Sequence, residues 1–212
     1  MSTGYADSTG YANSTVQIAS TARASAAHAV SDEALIGRIA AGEKFAMQVL
    51  FGRHHVRVYR FVLRFLRDHM LAEDVTNEVF LDVWRQADRF EARSAVSTWL
   101  LAIARFKALS ALKRRPNEGV DETALAAVED PADDPEVAIR KRDRGEVLRR
   151  CLKALSHEHR EVIDLVYYHE KSAKEVAQIM RIPEETVRTR MFYARKRLSE
   201  LLAGAGVDSA AA

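Results

Sequence analysis

Cysteine is nearly absent: Cys151 is the one cysteine in 212 residues. That count excludes an internal disulfide framework and fits a reducing compartment. Cys151 stands among Val147, Leu148, Leu152 and Leu155, so it reads as a buried structural thiol. No apolar run approaches the roughly 20 residues that span a bilayer. The N-terminus also lacks a charged stretch followed by an apolar one, so no secretory signal is read there. The expectation is a cytoplasmic protein without direct membrane insertion. Chemistry-bearing patterns are missing too, with no glycine-rich phosphate loop and no nucleophile motif. His157, His159 and His169 lie near Glu158, Glu161 and Glu170, which invites a metal site. Their spacing is not that of a zinc-binding helix, and a pair at i, i+2 points to different sides. They read as surface histidines near a helix start. No catalytic residue, metal or cofactor is expected, and the chain does not read as an enzyme.

Proline is scarce and its placement is informative. The four prolines are Pro116, Pro131, Pro135 and Pro183, and none interrupts the stretch from Ser31 to Arg115. Net charge is only +2, but the charges are segregated. From Pro116 to Val137 stand Glu118, Asp121, Glu122, Glu129, Asp130, Asp133, Asp134 and Glu136, with no Lys or Arg. Basic clusters flank this stretch at Lys113-Arg114-Arg115 and from Arg188 to Arg197, and local basic patches are what bind phosphates.

The organisation follows. Residues 1–30 are rich in Ser, Thr, Ala and Gly and contain a short repeat around Tyr5 and Tyr11; such a tract cannot bury enough surface to offset its ordering entropy and reads as disordered. Residues 31–115 carry helical periodicity throughout. Residues 116–137, bracketed by prolines, read as an acidic linker. Residues 138–203 form a second helical block, and 204–212 a small polar tail. The fold class is all-α, two helical domains joined by a flexible acidic linker.

The richest segment runs from Ser172 to Leu201. Ser172 precedes Glu175 by three residues, the capping-box spacing. Val176, Ala177, Ile179 and Met180 give the first helix an apolar face. Pro183 suits the first turn of a second helix, with Glu184 and Glu185 where the helix dipole favours negative charge. Val187, Met191, Ala194, Leu198 and Leu201 make one buried stripe, leaving Arg188, Thr189, Tyr193, Arg195 and Lys196 off it. This is the layout of a helix-turn-helix whose second helix enters a DNA major groove. Upstream, Glu73, Asp74, Asn77 and Glu78 share a polar helix face while Val75, Val79 and Phe80 point inward, an acidic docking surface for a basic partner. Small polar residues between Phe90 and Trp99 read as a loop beside aromatics. The next helix carries Arg105, Lys107, Lys113, Arg114 and Arg115. Aromatics interleaved with cations can hold unstacked bases while tracking a phosphate backbone.

These motifs, in this order, resemble the bacterial extracytoplasmic-function (ECF) sigma factors. The carrying residues are Ala72-Glu-Asp-Val-Thr-Asn-Glu-Val-Phe-Leu-Asp-Val-Trp84, Trp99-Leu-Leu-Ala-Ile-Ala-Arg105, Arg114-Arg115, Ala154-Leu155, Arg160-Glu-Val162, Ile182-Pro-Glu-Glu-Thr-Val-Arg188 and Ala194-Arg-Lys-Arg-Leu198. The resemblance covers about Asp32 to Leu202 and implies sigma region 2 in 31–115, sigma region 4 in 138–203 and no third domain. It implies that Glu73, Asp74, Asn77 and Glu78 dock on the clamp helices of the core RNA polymerase β′ subunit, with the β flap as a further contact. The loop from Glu91 to Ser97, with Arg93, Ser94 and Trp99, would capture a flipped −10 base. Arg105, Lys107, Lys113 and Arg114 would hold that strand. The helix from Glu184 would read the −35 element through Glu185, Thr186, Arg188, Thr189, Phe192 and Tyr193, with Lys174 and Arg195 on phosphates. An anti-sigma factor is implied as a further partner. Asn77 stands where the family usually has glutamine, Phe106 where it has asparagine, Tyr193 in place of a frequent arginine, and Arg181 at a turn position where glycine is common. Two other classes compete with this reading, a sigma-like adaptor without promoter recognition and a conventional helix-turn-helix regulator. The basic residues kept in both blocks argue against the first, and the acidic and aromatic-basic N-terminal helices against the second.

Overall fold

A computed structural model describes residues 30–114 and 145–206. The N-terminal tract up to residue 29, the acidic 116–137 segment and residues 207–212 lie outside the described residues. Among the described residues the chain is all helical.

Helix α1 (Asp32–Ala40) starts at Ser31, whose side chain accepts from the Ala34 N–H, and Asp32 and Glu33 complement its dipole. It buries Leu35, Ile36 and Ile39. Gly42 then takes a φ of 85°, a left-handed turn that glycine makes without steric cost. The Arg38–Glu43 ion pair closes that turn. Helix α2 (Lys44–Leu66) is about 35 Å long at 1.5 Å per residue. Asp32 ties α1 to α2 by accepting from Arg53 at 2.6 Å and pairing with His54 at 2.6 Å. Burial pushes the Asp32 carboxyl up, but these hydrogen bonds outweigh it and hold it below the usual carboxylate range. Helix α3 (His69–Gln86) is capped by Asp68, which accepts from the Leu71 N–H at 3.0 Å. Helix α4 (Val96–Arg114) begins where Thr98 and Trp99 donate to the Ala95 carbonyl at 3.0 and 3.1 Å. The polar loop read as running to Ser97 therefore stops at Ala95, and Ser97 belongs to the helix.

In the C-terminal half, residues 145–153 are helical. The Arg160 guanidinium donates to the carbonyls of Leu152, Lys153 and Leu155 at 3.0, 2.8 and 3.0 Å, so it satisfies carbonyls that the helix end leaves orphaned. Helix α5 (His157–Ile163) is capped by Ser156. A π-helical turn (Asp164–Tyr168) follows, and it widens the helix where Asp164 turns toward α2. Helix α6 (Ala173–Met180) and helix α7 (Glu184–Gly204) complete the fold. Pro183 sits just outside α7 as its N-cap, with ψ at 145°, because α7 takes its first helical residue at Glu184.

The two halves share one apolar core. It runs from Leu35, Leu50, Phe61, Val62 and Val79 through Leu100, Leu101 and Ala104 to Val162, Leu165, Val176 and Ile179. Helix α4 is the shared element, packing against α2 and α3 on one side and α6 on the other. Cys151 is buried, as read. His169 is not the surface residue read from the sequence: it is 3% exposed, with its ring edge-on to Phe61 at 5.4 Å between centroids.

A shared core makes a specific prediction. Both tryptophans, Trp84 and Trp99, lie in the N-terminal half, so their fluorescence reports only that half. Leu165→Ala, in the C-terminal half, removes a fully buried side chain and should cost about 2–5 kcal/mol. In urea unfolding, the tryptophan midpoint should shift together with the circular-dichroism midpoint; a tryptophan midpoint that stays in place would show two independent bodies.

Candidate nucleic-acid interface

The helix-turn-helix is assembled by local devices visible at atomic level. Ser172 Oγ accepts from the Glu175 N–H at 3.3 Å while the Ser172 N–H donates to Glu175 Oε2 at 3.0 Å, a complete capping box. Arg181 terminates α6 in the left-handed region at φ 55°, its N–H returning to the Ala177 carbonyl. A non-glycine residue there stores about 1 kcal/mol or more, and the turn accepts it to aim α7. Val187, Met191 and Ala194 anchor α7 against Val176, Ile179 and Met180. Arg190 pairs with Glu158 at 3.0 Å and fixes α7 to α5.

The outer face of α7 exposes Glu185, Arg188, Thr189, Phe192, Tyr193 and Arg195, with Thr186 half-buried and Lys174 exposed on α6. Arg188 accompanies Glu184 at 2.7 Å and Glu185 at 3.7 Å, which orients its guanidinium along the helix. Phe192 and Tyr193 are 61% and 53% exposed and touch edge-on at 5.4 Å. Two adjacent exposed aromatics form a surface able to meet the apolar edges of bases.

On α3, Glu73, Asp74, Asn77 and Glu78 are all exposed on one face. Leu81, which follows Asn77 by one helical turn, is exposed beside them. Sequence reasoning passed over Leu81 although an apolar residue at i+4 on a polar face was its signal. Of the aromatic-basic group, Lys113 and Arg114 are exposed. Trp99 is half-buried, its ring 5.1 Å from that of Phe90. Ser94 is half-buried, and Arg93 pairs with Glu91 at 2.6 Å around Ala92, which has a φ of 53°. Lys107 bridges α4 to α3 through Asp82 at 2.9 Å and Glu78 at 3.2 Å. Burial lowers its affinity for the proton, but the bonds to Asp82 and Glu78 outweigh that and hold its ammonium above the usual range. One residue read for DNA thus meets one read for polymerase.

The remaining cation of that group, Arg105, faces the C-terminal half. It forms a bidentate pair with Glu161, whose side chain is 2% exposed. Arg64 pairs with Asp164 and lies 3.9 Å above the Tyr168 ring. At the centre is Lys171, buried, whose ammonium donates to Ser97 Oγ at 2.6 Å, Thr98 Oγ1 at 3.0 Å and Glu175 Oε1 at 3.1 Å. Thr98 in turn donates to Glu175 Oε1 at 2.7 Å. All the Lys171 donors are used, which is what a buried ammonium requires. None of Lys171, Glu175, Thr98 and Glu161 was picked out by sequence reasoning as a contact. The one local signal was a Lys four residues before a Glu. Among the described residues no His, Cys, Asp and Glu group is placed to hold a metal ion, and no helix is long and apolar enough to cross a membrane.

Glu175 carries a pH consequence. Burial raises its carboxyl, yet hydrogen bonds from Thr98, Ser172 and Lys171 outweigh this and bring it from the ordinary 4.5 to about 2. A depressed carboxylate contributes stability above its unfolded pKa and loses it as pH falls through the folded one. Stability should therefore decline between about pH 4.5 and 2, and Glu175→Gln should be less stable at pH 7 with a flatter decline across that window. Chemical denaturation at a series of pH values measures this; a wild-type slope in the variant would contradict it.

The Sigma-70 region 2 family model matches residues 50–117, and the Sigma-70, region 4 model matches residues 151–200. The "ECF RNA polymerase sigma factor SigK" of Mycobacterium bovis is 32% identical over 174 residues, covering 80% of this chain and 92% of the relative. The "RNA polymerase sigma-H factor" of Pseudomonas aeruginosa is 27% identical over 181 residues, covering 81% and 93%. Among solved structures, CnrH in complex with the cytosolic domain of CnrY is similar with a TM-score of 0.61 at 24% identity, covering 82% of this chain and 97% of that one. RpoE of Bartonella quintana, bound to the anti-sigma factor NepR, is similar with a TM-score of 0.56 at 22% identity, covering 72% and 94%.

Proposed function

The chain belongs to the ECF sigma factors of the sigma-70 family, and from that premise we propose how its residues divide the work of promoter recognition. As a sigma factor it joins core RNA polymerase and directs promoter-specific initiation at −35 and −10 elements. The boundaries that follow are region 2 at 31–115, an acidic linker at 116–137 and region 4 at 138–203. Region 4 lays α7 into the −35 major groove, where Arg188 reads a base edge while Lys174 and Arg195 meet phosphates. Glu73, Asp74, Asn77 and Glu78, with Leu81 among them, meet the β′ clamp helices. The loop from Glu91 to Ala95, with Trp99 behind it, receives a −10 base, and Lys113 and Arg114 hold the melted strand. An anti-sigma protein is a further partner; the solved relatives bound to CnrY and NepR support that assignment.

The observation that carries the reading is the simultaneous presence of two ready-made faces. One is a capped helix-turn-helix with an exposed cation and aromatic row. The other is an exposed carboxylate face on α3. A protein that only imitated a sigma factor would keep the second and have no use for the first. The arrangement also explains why a free chain should bind promoter DNA weakly. Arg105 is committed to Glu161, and Ser97 and Thr98 to Lys171, so region 2 cannot present these groups until region 4 moves off α4. We assign that separation to the encounter with core polymerase, whose surface takes up each region separately.

Two measurements test this reading. In a gel shift, promoter DNA should be bound tightly and specifically only with core enzyme present; tight specific binding by the chain alone would contradict it. In transcription assays with core polymerase, Arg188→Ala should cost roughly 1–3 kcal/mol at one −35 position and relax preference there. An unchanged preference across −35 variants would remove Arg188 from base reading.

A further inference from the structure

Where the halves pack, they leave a half-open recess of about 300 Å³ that the promoter-binding role does not use. Its apolar walls come from both halves: Phe61, Phe65, Leu66 and Leu112 from one, Leu152 and Ile163 from the other. The His157 ring adds to the wall, edge-on to Phe65 at 4.6 Å. Its partial desolvation holds that imidazole below its usual range. Among the described residues, Arg64, Arg67, Arg149, Lys153, Arg160, Glu161 and Asp164 supply the charges that line it, and Arg149 and Lys153 have interactions of their own. Both carboxylates are already engaged, Asp164 by Arg64 and Glu161 by Arg105.

Two of these cations have donors to spare. Arg160 is held rigid by its three backbone bonds through Nε and Nη2, and its Nη1 makes none. Arg67 makes no side-chain hydrogen bond or ion pair among the described residues. The two repel each other: burial first, and then the charge of Arg67, lowers the affinity of Arg160 for its proton. A fixed guanidinium with a second one close enough to feel its charge, both with unused donors beside an apolar recess, is matched by a planar or tetrahedral anion that carries an apolar body. A volume of about 300 Å³ lies at the lower end of small-molecule pockets, the size of an acyl chain rather than a partner helix.

We propose that this recess is a binding site for an amphipathic anion, its carboxylate or phosphate head between Arg67 and Arg160 and its apolar tail against Phe61, Phe65, Leu112, Leu152 and Ile163. Because the walls belong to both halves, the ligand binds only while they are packed together. By mass action it holds them together and so opposes the separation that promoter binding requires. This effect rests on the packed arrangement, not on the identity of the −35 or −10 contacts.

The test is calorimetric titration of the full chain with sodium decanoate below its micelle concentration, with decyl phosphate and 1-decanol as parallel arms. Decanoate or decyl phosphate should bind one to one, the stronger of the two identifying the head group. Decanol should bind at least about tenfold more weakly, since a charge-assisted hydrogen bond is worth about 1.5–3 kcal/mol. Arg67→Gln, at a half-buried position, should weaken the anion to a similar degree, and Leu152→Trp should abolish binding by filling the recess. Should Leu152→Trp fail to fold, Arg67→Gln alone decides. No saturable binding of either anion, equal affinity for decanol, or unchanged affinity in Arg67→Gln would overturn the proposal. Binding of an acidic, leucine-containing peptide in place of decanoate would give the recess to a partner protein and overturn it too. If labels on the two halves of the free chain are found far apart, the packed arrangement itself has failed. If they are close and decanoate still does not bind, only the ligand site has.

Discussion

The Lys171 ammonium is the constraint around which this structure is organised. A charged group at that depth is tolerated only when every donor is met, and the three acceptors it finds come from two different regions of the chain: Ser97 and Thr98 on α4, and Glu175 on α6. Glu175 is also the capping-box residue of α6. The same carboxylate therefore starts the first helix of the helix-turn-helix and ties that motif to region 2. Moving region 4 away from α4 leaves Lys171 and Thr98 to be rehydrated, and it breaks the Arg105–Glu161 and Arg64–Asp164 pairs with them. Water replaces each of these bonds, but opening also exposes apolar side chains of the core that α4 shares with the C-terminal half, so the cost has to be met by a binding partner. A contact that is fully satisfied when closed and readily solvated when open suits a subunit that must change partners.

In the proposed reading, function and inhibition fall on the same side chains. Arg105 is a cation suited to a DNA strand, yet in the packed form it neutralises a carboxylate that is 2% exposed. Lys107 likewise lies between α4 and the acidic face of α3. Residues with a clear nucleic-acid chemistry are thus paired internally, while Arg188, Phe192 and Tyr193 stay on the surface. The side chains proposed to read the −35 element are exposed, and part of the set proposed to grip the −10 strand is withheld.

Much of this was legible in the sequence because it is local. The Ser172–Glu175 spacing, the stripe of Val187, Met191 and Ala194, and the acidic face around Asp74 and Asn77 each follow from helical periodicity and helix-end chemistry, and each is found where that chemistry puts it. The turn at Arg181 adopts the left-handed conformation that its position implied. What escaped was long-range. Thr98 and Glu175, or Arg105 and Glu161, are far apart in sequence, and no period or motif joins them; Arg105 read as a strand-binding cation because nothing local marked its carboxylate partner. His169 read as a surface residue because its covering ring, Phe61, lies on α2. The start of α4 was missed by two residues, Val96 and Ser97, because Ser97 is small and polar and ends a loop-like run, and its tertiary contact with Lys171 lies far away in sequence.

The account stands on region 2 and region 4 being clasped in the free chain and released by core polymerase. Spin labels at Arg60→Cys and Arg197→Cys, in a Cys151→Ala background, measure this by electron–electron distance. A single narrow distance in the free chain that lengthens on adding core enzyme is the predicted result. A distance already broad and long without core, or one that core leaves unchanged, would contradict it.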